Sequence, residues 1–175
     1  MDNRGLELID GQIVEKNVSF ASARVEITAG AVLYRAAEGH DCSVCAATLN
    51  YRCFPEDPAR FRKPDVSVIR NGRLRDLGNL NPGEMPIPPD LAVEVVSDND
   101  GFNDVWGKAE EYLAAGFPLV WVLDPKHRKA LVFTAGREKP DVLAADDTID
   151  AGDLLPGWSC KVADLFGTPV AKNAE

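Results

Sequence analysis

The sequence predicts an α/β (α+β) fold: a mixed central β-sheet flanked by helices, with a β-hairpin at its N-terminal side. Three stretches predict it. "LAVEVVSD" (91–98) alternates Leu91, Val93 and Val95 on one face with Ala92, Glu94 and Val96 on the other, and a strand that is mostly apolar on both faces belongs to a sheet covered on both sides. That strand, the helical pattern after it and the strand "LVWVLD" (119–124) form a strand–helix–strand unit, whose strands should be parallel with a right-handed crossover. Near the start, "LELIDGQIV" sets Asp10-Gly11 between two short apolar runs, the strongest local signal for a hairpin.

The remaining elements come in chain order. Val25, Ala29, Val32, Leu33 and Ala36 recur at helical spacing, with Ser22 as N-cap and Gly39 as stop, so a helix is expected from Ser22 to about Glu38. "CSVCAATLNYRCF" (42–54) suits pleated structure and reads as two strands or one bent one. The loop "PEDPARFRKP" leads to the strand "DVSVI" (65–69), and Arg70–Pro89 is a long surface connection of the kind that often carries function. "DNDGF" turns the chain, Asn103 caps a helix running to Ala115, and Gly116 and Pro118 close it. After "LVWVLD", "DPKHRK" turns into "ALVFT" as a hairpin partner. A further weak strand or two, a turn at "LLPGW" and a short helix near "VADLF" complete the chain. Residues 1–167 are expected to form one domain and 168–175 a flexible tail.

Composition narrows the function. The 175 residues are 45% hydrophobic and 27% charged, ordinary for one globular domain. No apolar run approaches the roughly 18 residues that a membrane span needs, and "MDNRGLELID" lacks a basic segment followed by an apolar one, so a cytoplasmic protein with no membrane partner is expected. The net charge of −9 opposes tight non-specific nucleic-acid binding, because that affinity comes from Lys and Arg displacing counterions. Yet Arg60, Arg62, Lys63, Arg70, Arg73 and Arg75 crowd one span. Such a span reads either as solvated surface or as a grip on phosphates. Cys42-x-x-Cys45 has zinc-like spacing, but strand alternation turns the two thiols to opposite faces, and buried reduced thiols are the expectation for all four cysteines.

Glu94 is the informative anomaly. A carboxylate inside an apolar strand must be protonated, paired or bound to a cation, because an unpaired buried charge costs several kcal/mol or more. Asp65 opens the neighbouring strand directly after Pro64. Two carboxylates on adjacent strands repel unless one is protonated or a divalent cation lies between them, and hard oxygen ligands suit Mg²⁺ or Mn²⁺. Lys108 shares a helix face with Tyr112, beside the apolar face of Val105, Ala109 and Leu113. It has two readings, an exposed helix lysine or a cation carried along the apolar surface to the carboxylates.

"KPDVSVI", "DLAVEVVSDND", "KAEEYLAAG" and "VWVLDP", introduced by "ELIDGQIV" and followed by "LLPGWSCKVADLF", together resemble the Uma-two family of bacterial endonucleases. This is a branch of the PD-(D/E)XK superfamily with a restriction-endonuclease-like fold, and the resemblance extends to about Gly167. It implies a Mg²⁺- or Mn²⁺-dependent endonuclease acting on nucleic acid, DNA foremost. Asp65 matches the aspartate of the "PD" element and Glu94 the acid of "(D/E)XK". Val96 stands where the lysine of that element belongs, and the family's relocated lysine falls on Lys108. Asp65, Glu94 and the carbonyl of Val95 would hold the metal, with Asp65, Glu94 and Lys108 as the catalytic set. The family's first-helix histidine is Arg24 here, and its "DGE" is "DGQ" with Gln12. For a fourth acid, Glu26 and Glu7 are candidates, although Glu26 reads more simply as a solvated helix glutamate and Glu7 reads equally as structural. A homodimer is a further expectation, with Trp106 and Phe117 readable either as its surface or as core packing, and a catalytically inactive module that binds nucleic acid or a protein is the rival reading.

Overall fold

The computed structural model describes residues 6–9, 12–15, 19–54, 56–57, 59–78, 83–97 and 102–168. In chain order the elements are β1 (Leu6–Ile9), β2 (Gln12–Glu15), α1 (Phe20–Ala37), β3 (Cys42–Ala46), β4 (Asn50–Tyr51), β5 (Val66–Arg70), α2 (Asn71–Arg75), β6 (Glu84–Met85), β7 (Leu91–Val95), α3 (Phe102–Ala114), β8 (Leu119–Asp124), β9 (Lys129–Thr134), β10 (Asp141–Leu143), β11 (Thr148–Asp150), β12 (Ser159–Lys161) and α4 (Val162–Phe166). A six-stranded sheet in the order β10-β9-β8-β7-β5-β3 forms the centre. It is mixed: β7 and β8 run parallel across the α3 crossover, and their neighbours pair antiparallel.

The sheet has a core on each face. Val66, Val68, Leu91, Val93, Val95, Trp121 and Leu123 pack against α1 and α4. Ile69, Ala92, Val120, Val122 and Phe133 pack against α3 through Ala109 and Tyr112. Every residue of β7 is buried, which explains its near-continuous apolar sequence.

Most expected elements form, with shifted ends. The cap of α1 is Ser19 rather than Ser22: the Ser22 amide donates to Ser19 Oγ (3.1 Å) and the Ser19 amide to Ser22 Oγ (2.9 Å), a reciprocal box in which Ser22 is the third helical residue. The span 42–54 resolves into two strands, β3 and β4. The 70–89 connection contains α2 and β6. β1 and β2 pair antiparallel with Ile9 opposite Gln12, so the opening hairpin forms, although its Asp10-Gly11 turn lies outside the described residues. Residues 98–101 of the "DNDGF" turn and the tail from residue 169 also lie outside them, and α3 starts at Phe102, which makes Asn103 its second helical residue rather than its cap. All four cysteines are free thiols and half-buried rather than buried. Among the described residues no helix is long and apolar enough to cross a membrane.

Candidate active site

Register brings the two acids together. In the antiparallel β5–β7 pair, Val66 lies opposite Val93 and Ser67 opposite Ala92. One step further along the same register sets Asp65 beside Glu94, both facing α3, because side chains alternate across a strand and Val66 and Val93 face α1. Asp65 is 8% exposed and Glu94 7%. The ladder stops at Pro64, since the next step sets it opposite Val95 and it has no N–H to donate. The Val95 amide, turned away from β8, donates instead to Asp65 Oδ2 at 2.7 Å. Asp65 is thereby fixed by the backbone of the strand that carries Glu94, and the Val95 carbonyl faces the same side.

The cation arrives from the crossover helix. Lys108 Nζ lies 2.9 Å from Glu94 Oε2, with its side chain 16% exposed. One turn further along α3, Tyr112 donates its hydroxyl to Glu94 Oε1 at 2.7 Å. Both carboxylate oxygens therefore receive a donor from one helix face. Tyr112 is fully buried and stacked on Phe117, with ring centroids 4.4 Å apart, so its hydroxyl is held rigidly. Sequence reasoning noticed that Tyr112 shares a face with Lys108 but gave it no role. The four-residue spacing was the available signal.

The basic span is divided by the strand inside it. Arg60, Arg62 and Lys63 lie at the Asp65 end of β5, whereas Arg70, Arg73 and Arg75 lie at or beyond its other end, about 16 Å away for five extended residues. Most of the arginines have acidic partners. Arg62 makes a two-pronged ion pair with Glu111 of α3, joined by Arg60 at 3.4 Å. Arg70 and Arg73 meet Asp90, and Arg75 meets Asp41. As a continuous phosphate grip the span does not exist, and only its first three residues stand near the acids. Lys63 is itself buried, with its ammonium 5.8 Å from the Phe61 ring centre.

A cavity of about 580 Å³ opens on the same sheet face, lined among others by Val96, Val105, Trp106, Val122 and Leu131. Val122 lies opposite Glu94 in the β7–β8 register, but none of Asp65, Glu94 and Lys108 lines the cavity.

The secondary candidates fall elsewhere. Glu26 is half-buried on α1, across the sheet from the face to which Glu94 points and one turn before Gly30, where an added Cβ would sit 3.6 Å from Val66. The side chain of Glu7 lies outside the described residues, and Gln12 is exposed. Arg24 donates to the Thr168 carbonyl at 2.8 Å, tying α1 to the chain beyond α4. Phe117 is fully buried and unavailable to a dimer surface, while Trp106 meets Phe133 edge-on at 5.1 Å.

The donor set fits a hard divalent cation. Among the described residues no group of three or more His, Cys, Asp or Glu side chains is arranged around a common point. Two carboxylates and a carbonyl nevertheless match Mg²⁺, which keeps several waters and takes one or two carboxylates from protein.

Comparison with known proteins agrees with this picture. The Uma2 family, described as "Putative restriction endonuclease", matches residues 2–163. The crystal structure of a putative nuclease belonging to DUF820 from Anabaena variabilis ATCC 29413 superposes with a TM-score of 0.76, covering 94% of this chain and 90% of that one at 19% identity. At that identity the likeness shows the fold, which is that of a restriction-endonuclease-like nuclease. No curated protein matches the chain.

Proposed function

The chain belongs to the Uma2 family, and from that premise we infer that it is a metal-dependent endonuclease hydrolysing phosphodiester bonds of nucleic acid, with DNA as the preferred substrate. The observation that carries the reading is the convergence on Glu94. A buried strand carboxylate receives an ammonium and a phenol from one helix and stands beside a second buried carboxylate held by the next residue's amide. A structural ion pair needs only Glu94 and Lys108. The second acid adds a like charge beside Glu94, an arrangement that suits a divalent cation.

Asp65, Glu94 and the Val95 carbonyl are the residues that would hold Mg²⁺ or Mn²⁺. Such an ion polarises a phosphate and lowers the pKa of bound water. The chain's own residues supply the rest. Tyr112 restricts the Glu94 carboxylate to one orientation, and the Val95 amide does the same for Asp65, so neither acid reorganises when charge builds up. Lys108 brings a positive charge to Glu94. There the ammonium orients the attacking water or stabilises the negative charge that accumulates on the phosphate oxygens, or the neutral amine takes a proton from the water. Arg60, five residues before Asp65 and paired with Glu111 at 3.4 Å, is the arginine we assign to positioning the phosphate backbone.

The net charge of −9 and the internal pairing of the arginines favour a second reading, a non-catalytic module with weak nucleic-acid affinity. Incubation with single- and double-stranded DNA and RNA in Mg²⁺, Mn²⁺ or EDTA separates the two. Metal-dependent cleavage lost in Asp65→Ala and Lys108→Ala supports the enzyme. Identical traces for wild type and both variants reject it.

A further inference from the structure

The solvent face of α1 is apolar along its whole length. A helix with one face on the core should turn charged residues outward, yet the exposed positions of α1 include Phe20, Ala23, Ile27, Ala31 and Tyr34 in one stripe, and Arg35 is the only charged residue among its exposed positions. Phe20 is 76% exposed, Ile27 72% and Tyr34 62%, and among the described residues only Val142 joins them as an exposed large hydrophobic side chain. The opposite face, Val25, Ala29 and Leu33, is already committed to the core.

The stripe is symmetric about its middle. Phe20 and Tyr34 each lie seven residues from Ile27, and Ala23 and Ala31 each lie four. Running a second α1 antiparallel across the first, with the two Ile27 side chains on the axis, sets Phe20 against Tyr34, Ala23 against Ala31 and Ile27 against itself. Aromatic meets aromatic, and the small residues flank the crossing point on either side. Such a two-fold, self-complementary patch is what an isologous interface requires of a single surface. We propose that this face of α1 is a homodimer interface in which two copies of the chain pair antiparallel about Ile27.

The three large side chains expose about 400 Å² per copy, taking roughly 150–250 Å² for each when fully bare. The pair therefore buries about 800 Å², or about 1,000 Å² with the alanines and flanking atoms. That lies below the standard range for stable interfaces, in the class of weak and transient ones, so the association should be reversible and depend on concentration. The contact is independent of the metal and of the carboxylates.

Sedimentation velocity of the full chain between about 1 and 200 µM tests the proposal, and the wild type is expected to pass from monomer toward dimer. Ile27→Glu and Ile27→Lys, each placing like charges on the axis, are expected to remain monomeric. Mixed in equal amounts, they are expected to regain the dimer, because opposite charges then meet. Both substitutions are at an exposed position and should keep the wild-type circular dichroism spectrum. A wild type that is monomeric throughout, a dimer unchanged by Ile27→Glu, or a mixture that fails to associate overturns the proposal. A monomer whose melting temperature falls on Ile27→Glu also overturns it, since the stripe is then covered by the chain itself. None of these outcomes depends on nuclease activity.

Discussion

Replacing Lys108 with methionine tests the site most directly. The substitution keeps an unbranched stem of similar length on α3 and removes the ammonium 2.9 Å from Glu94 Oε2. Glu94 then retains the Tyr112 hydroxyl in a position only 7% exposed. Removing one partner of a buried ion pair costs about 3–5 kcal/mol. The Lys108 side chain is 16% exposed, so water reaches one side of the pair and the lower end, about 3 kcal/mol, applies. For a chain of this size each kcal/mol lowers the melting temperature by about 2–4 °C, so a fall of roughly 6–12 °C is expected. Glu94→Gln removes the charge while its amide oxygen still accepts from Tyr112, and should cost only about 1–2 kcal/mol. In the double variant no buried charge is left without a partner, so it should be more stable than the sum of the singles predicts, by about 2 kcal/mol. Urea denaturation of the four proteins in EDTA measures this coupling. Additivity to within about 0.5 kcal/mol would refute the claim that Lys108 and Glu94 form a buried, mutually dependent pair.

Four other outcomes are expected. Tyr112→Phe keeps the stack on Phe117 but removes a hydrogen bond to a carboxylate, costing about 1.5–3 kcal/mol in urea and lowering any nuclease kcat, with KM less affected. Mn²⁺ should raise the wild-type melting temperature, and Asp65→Asn and Glu94→Gln should each abolish that rise, as mass action requires for a ligand of the folded state; an unchanged shift in either variant removes that acid from the metal site. Burial pushes the Cys53 thiol up to about 12 and the Cys160 thiol up to about 11. The unfolded chain loses these protons first, so stability is complete below about 8.5 and declines as pH rises toward the folded values; denaturation at several alkaline pH values should show a shallower decline in Cys53→Ala. Hydrogen bonds from Arg75 and Asn71 hold the Asp41 carboxyl below its ordinary value. Its small contribution is present above the unfolded pKa and is lost as pH falls through the folded one; carboxyl NMR should see the Asp41 pKa rise in Arg75→Ala, and less so in high salt because the pair is exposed.

The sequence determined the elements and the identity of the anomaly. Period-two and helical apolar patterns fixed β7, α3 and β8 and their parallel pairing, because an apolar face must be buried and the order strand–helix–strand leaves one crossover. The same alternation marked Glu94 as a charge in a buried strand and put Lys108 and Tyr112 on one helix face. Tertiary structure decided what those residues meet. Pro64 ends the β5–β7 ladder and turns the Val95 amide onto Asp65, which depends on a pairing register that neither strand reveals alone. Glu111, an ordinary helix glutamate by sequence, neutralises Arg62 from 49 residues away. The apolar outer stripe of α1 was hidden for a related reason: sequence periodicity locates a hydrophobic face, but a helix with two such faces needs the packed sheet to show which one remains exposed. Local patterns arise from backbone geometry and the solvation of each side chain, whereas charge partners and free surfaces depend on which segments become neighbours.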